Sequence, residues 1–300
     1  MGDAKVTELV VGTWNCFGQA QSALDALAFR APYGDRLLHE ELPRTLAQAH
    51  VVCVQELFSR DAERFFGRLG DRRVRDDNGI SLRTVTARGS GLGVATRGVS
   101  TSSATIERFT GAQVGWDRLA RKGTMHVRVA LDGLEIDVLT AHLQAGWGAA
   151  AAKVRLEQIA ELARRVRQHG SPDRPFVLCG DFNVCGLGGN GVEYVALRGA
   201  LAGFEDLGAV DDLATFDPRP DRNSLAHDNE PELPRMRLDY VFFRPARGLP
   251  YRVRQLARLF DRPIAGITTL RSMRHGRPLA RAFASDHYGL AATIELGAAS

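Results

Sequence analysis

The chain has 300 residues, of which 44% are hydrophobic and 25% charged. That is globular composition, able to bury a large core without disulfide or metal staples, and it excludes a disordered, collagenous or disulfide-scaffold protein. Lys and Arg number 39 against 35 Asp and Glu, so the net charge of +4 fits anionic partners without choosing among nucleic acid, lipid headgroups and phosphorylated metabolites.

The amino terminus mixes Asp3, Lys5 and Glu8 and has no apolar signal core. Val6 stands where myristoylation needs Ser or Thr, and no run approaches a membrane span, so no transmembrane segment is expected. The chain as it stands reads as cytoplasmic, and as secreted if a leader has been removed. A first strand, Leu9 to Cys16, carries Asn15 at its end. Leu38, Leu42 and Leu46 give helical spacing across 37–49, with Pro43 expected to break or restart the helix. Val51 to Val54 is a second apolar run, closing on Gln55 and Glu56. Ser59 followed by Asp61 and Glu63 predicts an N-cap and a helix through Leu69.

Residues 90–96 form a third strand candidate. Asp132-Gly133 lies between two alternating runs, 124–131 and 134–142, and predicts an antiparallel hairpin whose second strand ends in His142. Ala149 to Gln168 is the clearest amphipathic helix. Phe176 to Cys179 then reads as a buried strand that turns at Gly180 and presents Asp181 and Asn183. If the strand continues, period-two geometry puts both on one side; Gly, Asp and Asn equally describe a turn. A shorter helix is expected over 192–201, one long surface loop from Asp211 to Arg235, and strands at 238–243, 251–259 and 288–296, with Asp286 and His287 just before the last. Cys16, Cys53, Cys179 and Cys185 form no C-x-x-C pair and read as reduced, mostly core residues. No repeat or composition shift marks a boundary, so residues 1–300 are expected to be a single catalytic domain.

Asn15, Glu56, His142, Asp181, Asn183, Asp239, Asp286 and His287 all sit at strand ends. Each alone has a plain structural explanation as a turn or cap residue or a hydrogen-bonded histidine. Together they would build one polar floor if those ends share a side of a sheet. Carboxylates and carboxamides without thiolates suit a hard cation, Mg²⁺ or else Mn²⁺ or another divalent ion, and the histidines add acid-base groups, a set suited to phosphate-ester hydrolysis.

The order Trp14-Asn15, Gln55-Glu56, Thr140-Ala141-His142, Gly180-Asp181-Phe182-Asn183, Leu238-Asp239-Tyr240 and Ser285-Asp286-His287 resembles the endonuclease/exonuclease/phosphatase superfamily, the group of deoxyribonuclease I. The resemblance implies an α/β fold, a four-layer sandwich of two mixed β-sheets flanked by helices. His142 to Ala145, and Asp117 with Lys122-Gly123 ahead of it, look like the neutral and bacterial sphingomyelinase branch. Residues 260–284 lack the clustered aromatics of the membrane-inserting hairpin in the secreted members.

On that resemblance Glu56 is the principal metal ligand, with Asn15 beside it directly or through water and Asp286 a further candidate. His287, oriented by Asp239, is the general base. His142 and Asn183 donate to the phosphorus centre, and Asp181 orients water or assists the leaving group. Asp117 and Lys122 form a substrate-side pair, for which the plain alternative is a surface ion pair of little energetic value. The leading expectation is a sphingomyelinase-like phosphodiesterase, with a lipid headgroup favoured over nucleic acid and with peripheral membrane contact. The alternatives are a nuclease and a non-catalytic binding module of the same fold. The sequence carries no signal for an oligomeric state.

Overall fold

The computed structural model of the chain describes residues 6–18, 34–76, 80–81, 86–87, 89–209, 213–267, 270–272, 276–279 and 281–297. Its strands are β1 (Thr7–Asn15), β2 (Val51–Gln55), β3 (Arg72–Arg75), β4 (Ile80–Ser81), β5 (Thr86–Ala87), β6 (Gly93–Thr96), β7 (Ser100–Arg108), β8 (Gly123–Leu131), β9 (Leu134–His142), β10 (Phe176–Asp181), β11 (Glu205–Asp206), β12 (Asp239–Arg244), β13 (Tyr251–Leu259) and β14 (Gly289–Leu296). Two six-stranded sheets result, ordered β13-β14-β1-β2-β6-β3 and β11-β12-β10-β9-β8-β7, with β4 and β5 as a separate pair. Both sheets are mixed: β1 runs parallel to β2 and antiparallel to β14, while β10 runs parallel to β9 and antiparallel to β12.

Apolar runs without a polar face make the central strands, because each strand is buried on both sides. In β2, Val51 and Cys53 face the inter-sheet core with Val127, Val138, Cys179, Val241 and Ile294. Val52 and Val54 point outward, where Leu42 and Leu46 of α1 (Glu41–Leu46) and Phe65 and Phe66 of α2 (Arg60–Phe66) cover them. On the second sheet, Leu139, Leu178 and Phe242 pack outward against Ile159 and Leu162 of α3 (Ala149–His169) and Leu197 of α4 (Val192–Ala200). Four layers follow, as the family resemblance implies.

Ser59 caps α2 by accepting from the Ala62 N–H at 3.2 Å. Asp132 and Gly133, both at positive φ, turn β8 into β9. Of the two expectations at Pro43 the restart holds: a 3₁₀ turn over Gly34–Leu38 ends before it and α1 begins at Glu41. Pro43 is the third residue of α1, where no intrahelical donor is needed.

The expected surface loop over 211–235 is corrected for its described part. Residues 224–229 form α5 (Ser224–Asn229), capped by Asn223, whose side chain accepts from the Leu225 and Ala226 N–H groups. The Asn223 amide also donates to the carbonyls of Ser285 and Asp286, and Leu225, Ala226 and Phe216 are buried. Part of the polarity there, Asn223 above all, is spent on hydrogen bonds to a buried turn, while Arg219, Asp221 and Arg222 are exposed. Asp211 itself lies outside the described residues. Cys16, Cys53 and Cys179 are buried free thiols, and Cys185 is half-buried. Among the described residues no helix is long and apolar enough to cross a membrane.

Candidate active site

Sheet register alone lines up three of the strand-end residues. Asp181 is the Cα partner of His142 on one side and of Asp239 on the other, so the ends of β9, β10 and β12 present His142, Asp181 and Asp239 in one row. In the facing sheet, Asn15 pairs with Gln55 at the ends of β1 and β2, Glu56 follows, and Ser285 to His287 enter β14 beside them. The Ser285 hydroxyl donates to the Asn15 carbonyl at 2.7 Å. The two rows meet across the seam between the sheets.

Side-chain contacts close that seam. The Asn15 amide donates to Glu56 Oε1 at 3.1 Å and to Asp181 Oδ2 at 2.9 Å. His287 Nδ1 lies 2.8 Å from Asp239 Oδ2, and its Nε2 lies 3.9 Å from Asp181 Oδ2. His142 Nε2 is 3.5 Å from the same Asp181 oxygen and 2.9 Å from Lys122 Nζ. Lys122 in turn pairs with Asp117 at 2.9 Å. The surface-pair alternative fails for this lysine, which is 2% exposed. Its ammonium is spent on Asp117, His142 and the Leu143 carbonyl.

One sequence expectation changes in detail. The strand ends at Asp181, and Asn183 takes φ 52°. Its N–H donates back to Asp181 Oδ1 at 2.9 Å and its amide to the Leu143 carbonyl. The pair is therefore a side-chain-stabilised turn, and shared period-two geometry does not operate; a turn is how the chain delivers Asp181 to the site. Asn15 accepts the Phe17 N–H through its oxygen at 2.9 Å and organises Glu56 and Asp181 through its N–H groups.

Burial pushes the Glu56 carboxyl up to about 8, with Asp286 adding to the rise. Burial likewise lifts Asp286, and lifts Asp239 to about 6 against the opposing pull of His287. For His287, burial disfavours the charge but Asp239 and Asp181 outweigh it and hold the imidazole well above its ordinary range. Burial, then Lys122 and His287, drive His142 far down, leaving it neutral.

The site has more carboxylate than its own cations satisfy. Glu56 Oε2, Asp239 Oδ1 and His142 Nδ1 are buried without a hydrogen-bond partner. Oxygens of Asp181 and Asp239 and a His287 nitrogen lie within 4.8 Å of one another. Orphaned hard oxygens on carboxylates that resist ionisation fit a divalent cation.

Some positioning residues carried no assigned role in the sequence. Gln55 donates to Thr13 and Thr140 hydroxyls, both at 3.1 Å, and so ties the sheets together behind the site; a polar residue inside an apolar run was its signal. The Thr215 hydroxyl accepts from the Leu238 and Asp239 N–H groups. Buried Arg36 donates to the Cys16 and Phe17 carbonyls. Thr215 lies between Ala214 and Phe216 and Arg36 just ahead of Leu37, with no strand-end pattern to mark either.

The chain matches the Endonuclease/Exonuclease/phosphatase family over residues 12–287. It belongs to that family. Among solved structures of the same fold, the endonuclease/exonuclease/phosphatase chain is 20% identical to sphingomyelinase C from Streptomyces griseocarneus, with TM-score 0.72 over 95% of this chain and 99% of that one. A beta-toxin variant from Staphylococcus aureus with bound magnesium ions gives 18% identity and TM-score 0.73, over 95% and 99%. D. rerio TDP2 complexed with single-strand DNA product gives 18% and 0.68, over 96% and 98%. In sequence, 57 residues are 47% identical to Nocturnin of Drosophila melanogaster, which is 19% of this chain and 9% of that protein's length.

Proposed function

We propose that the chain is a divalent-cation-dependent phosphodiesterase acting by in-line attack of water, with a sphingomyelinase-like lipid phosphodiester as its substrate. The observation that carries the chemistry is the buried seam where Glu56, Asp181, Asp239 and Asp286 meet His142, His287 and Lys122. Lipid as the substrate is supported by the Asp117, Lys122 and His142 motifs converging in one contact network. Trp147, 43% exposed in the segment that follows His142 and β9, supports contact with a lipid surface.

Glu56, Asp286 and Asp181 are the residues to hold Mg²⁺ or Mn²⁺. Such an ion supplies Lewis acidity at a phosphoryl oxygen, charge stabilisation at the leaving oxygen and relief of the crowded carboxylates. His287 takes the proton of the attacking water through Nε2, while its Nδ1–H stays on the ring and donates to the Asp239 carboxylate, which fixes ring orientation and tautomer. Asp181 is the second of the carboxylates that hold the proton on His287, so compensation of its charge would favour the base form of the ring. Neutral His142 is polarised through Nε2 by Lys122 and offers its Nδ1 proton as a donor. Asn15 holds Glu56 and Asp181 in register.

A nuclease is the second reading. Residues 260–284 contain Phe260 and Phe283 as their aromatics, and Phe283 is buried, so no aromatic anchor for a bilayer is present there. Assaying the purified chain with Mg²⁺ against sphingomyelin, lysophospholipid, double-stranded DNA and abasic DNA separates the two. Phosphocholine release that EDTA abolishes is expected. DNA nicking without lipid cleavage replaces the lipid reading, and EDTA-insensitive turnover overturns the mechanism.

A further inference from the structure

On the flank of the first sheet, away from the seam, arginines scattered in the sequence gather around one groove. Its volume is about 540 Å³, and Arg60, Glu63, Arg64, Phe66, Arg73 and Arg75 line it. Two elements supply them, α2 and the edge strand β3. Glu63 is the carboxylate among these lining residues, and Arg64, Arg73 and Arg75 are the guanidiniums whose contacts define the site. Glu63 pairs with Arg75, Arg64 reaches Asp61 at 3.8 Å, and Arg73 is anchored by one nitrogen to the Leu69 and Gly70 carbonyls at 2.8 and 3.0 Å. Each of these contacts leaves further N–H groups on a planar fork that matches phosphate geometry.

The geometry points to an accessory anion site that takes a ligand carrying two or more adjacent phosphate groups. The volume is that of a small-molecule site. Beside the groove Arg68 is paired with Glu40 at 2.6 Å, and the whole chain carries only +4. A nucleic-acid track would need a longer basic stripe. A bilayer contact would need exposed apolar side chains, whereas Phe66 is 2% exposed. Arginine on an edge strand also discourages edge-to-edge pairing, but that role alone produces no saturable anion binding. Arg75 sits opposite Gly93, which also pairs with Val54, so the groove opens at the same end of the sheet as Glu56, two strands over, roughly 10 Å. The site does not depend on the identity of the hydrolysed substrate.

Inorganic triphosphate titrated into the full chain in EDTA by calorimetry tests it. One saturable site is expected. Arg64→Glu with Arg75→Glu should weaken it at least ten-fold, and Arg64→Gln alone by a smaller factor should the double variant melt early. Glu63→Gln should tighten binding several-fold by removing the competing carboxylate, an effect a purely structural glutamate would not produce. Arg252→Glu, on an exposed position of β13, should leave it unchanged. Absence of binding, or binding equal in all folded variants, as expected for phosphate held at the catalytic seam, overturns the proposal. So does tighter binding of a DNA oligonucleotide or of phosphatidate vesicles through the same arginines, which assigns the groove to a polymer or a surface.

Discussion

Glu56 combines three costs in one residue: φ 64°, near-complete burial and a carboxylate oxygen without a partner. Left-handed backbone at a non-glycine residue is retained where the surroundings impose it, commonly at functional sites. With its folded pKa near 8 against an ordinary 4.5, the carboxyl holds its proton more tightly in the fold than in the unfolded chain. Its ionisation therefore costs nothing at pH 4.5 and progressively more as pH rises to 8. Glu56→Gln, which mimics the protonated form, is expected to match the wild type in metal-free urea unfolding near pH 4.5. At pH 8 it should exceed it by about 4 kcal/mol while losing cleavage activity by roughly 100-fold or more. A variant less stable than wild type at pH 8 would show instead that the carboxylate is structurally paired. The residues legible in the sequence were those, like Glu56 and Asp181, where an apolar run stops on a charge. Thr215 and Arg36 escaped because neither stands where an apolar strand run ends on a polar residue, although their hydrogen bonds fix Asp239 and the Cys16 turn.

At the scale of the element, β10 shows how tightly backbone placement is set at the seam. Gly180 adopts φ 140°, and a Cβ there would lie 2.0 Å from the Ala141 carbonyl oxygen of the adjacent strand. Neither the torsion nor the approach suits a side chain, and a backbone carbonyl in a central ladder cannot step aside. Gly180→Ala is expected to cost on the order of 4 kcal/mol, read as a lowered urea midpoint or as insoluble expression. A midpoint within error of wild type would mean the strands can separate locally. The strands with two buried faces were readable from apolar runs alone. The edge strand β7 was not, since Ser100 to Arg108 is largely polar and its side chains are mostly half-buried or exposed. Nor was α5, whose six residues carry too little periodicity and which is held by Asn223 bonds to residues more than sixty positions away.

For the whole molecule, the residues of the seam double as a joint between the two sheets. Asn15 to Asp181, His287 to Asp239 and Gln55 to Thr140 each cross from one sheet to the other there, beside the apolar packing of the inter-sheet core and rim contacts such as Thr96 with Thr101 and Tyr251 with Glu205. A cation seated among Glu56, Asp181 and Asp286 would bind the folded form only, because no unfolded chain assembles oxygens from both sheets. Linkage then requires stabilisation of RT ln(1 + [M]/Kd), about 2.7 kcal/mol at one hundred times Kd. For a chain of this size that corresponds to a rise in Tm of roughly 4 °C. Scanning calorimetry with saturating Mg²⁺ against EDTA should show that rise in the wild type and in His287→Ala, whose change leaves the three oxygens in place. Glu56→Gln should lose most of it while melting higher in EDTA. Because the readout is stability, it separates metal binding from catalysis: a Tm indifferent to Mg²⁺ in the wild type sinks the assigned ligands even if the chain cleaves a phosphodiester, and an equal rise in Glu56→Gln moves the ion to the Asp181, Asp239 and His287 cluster.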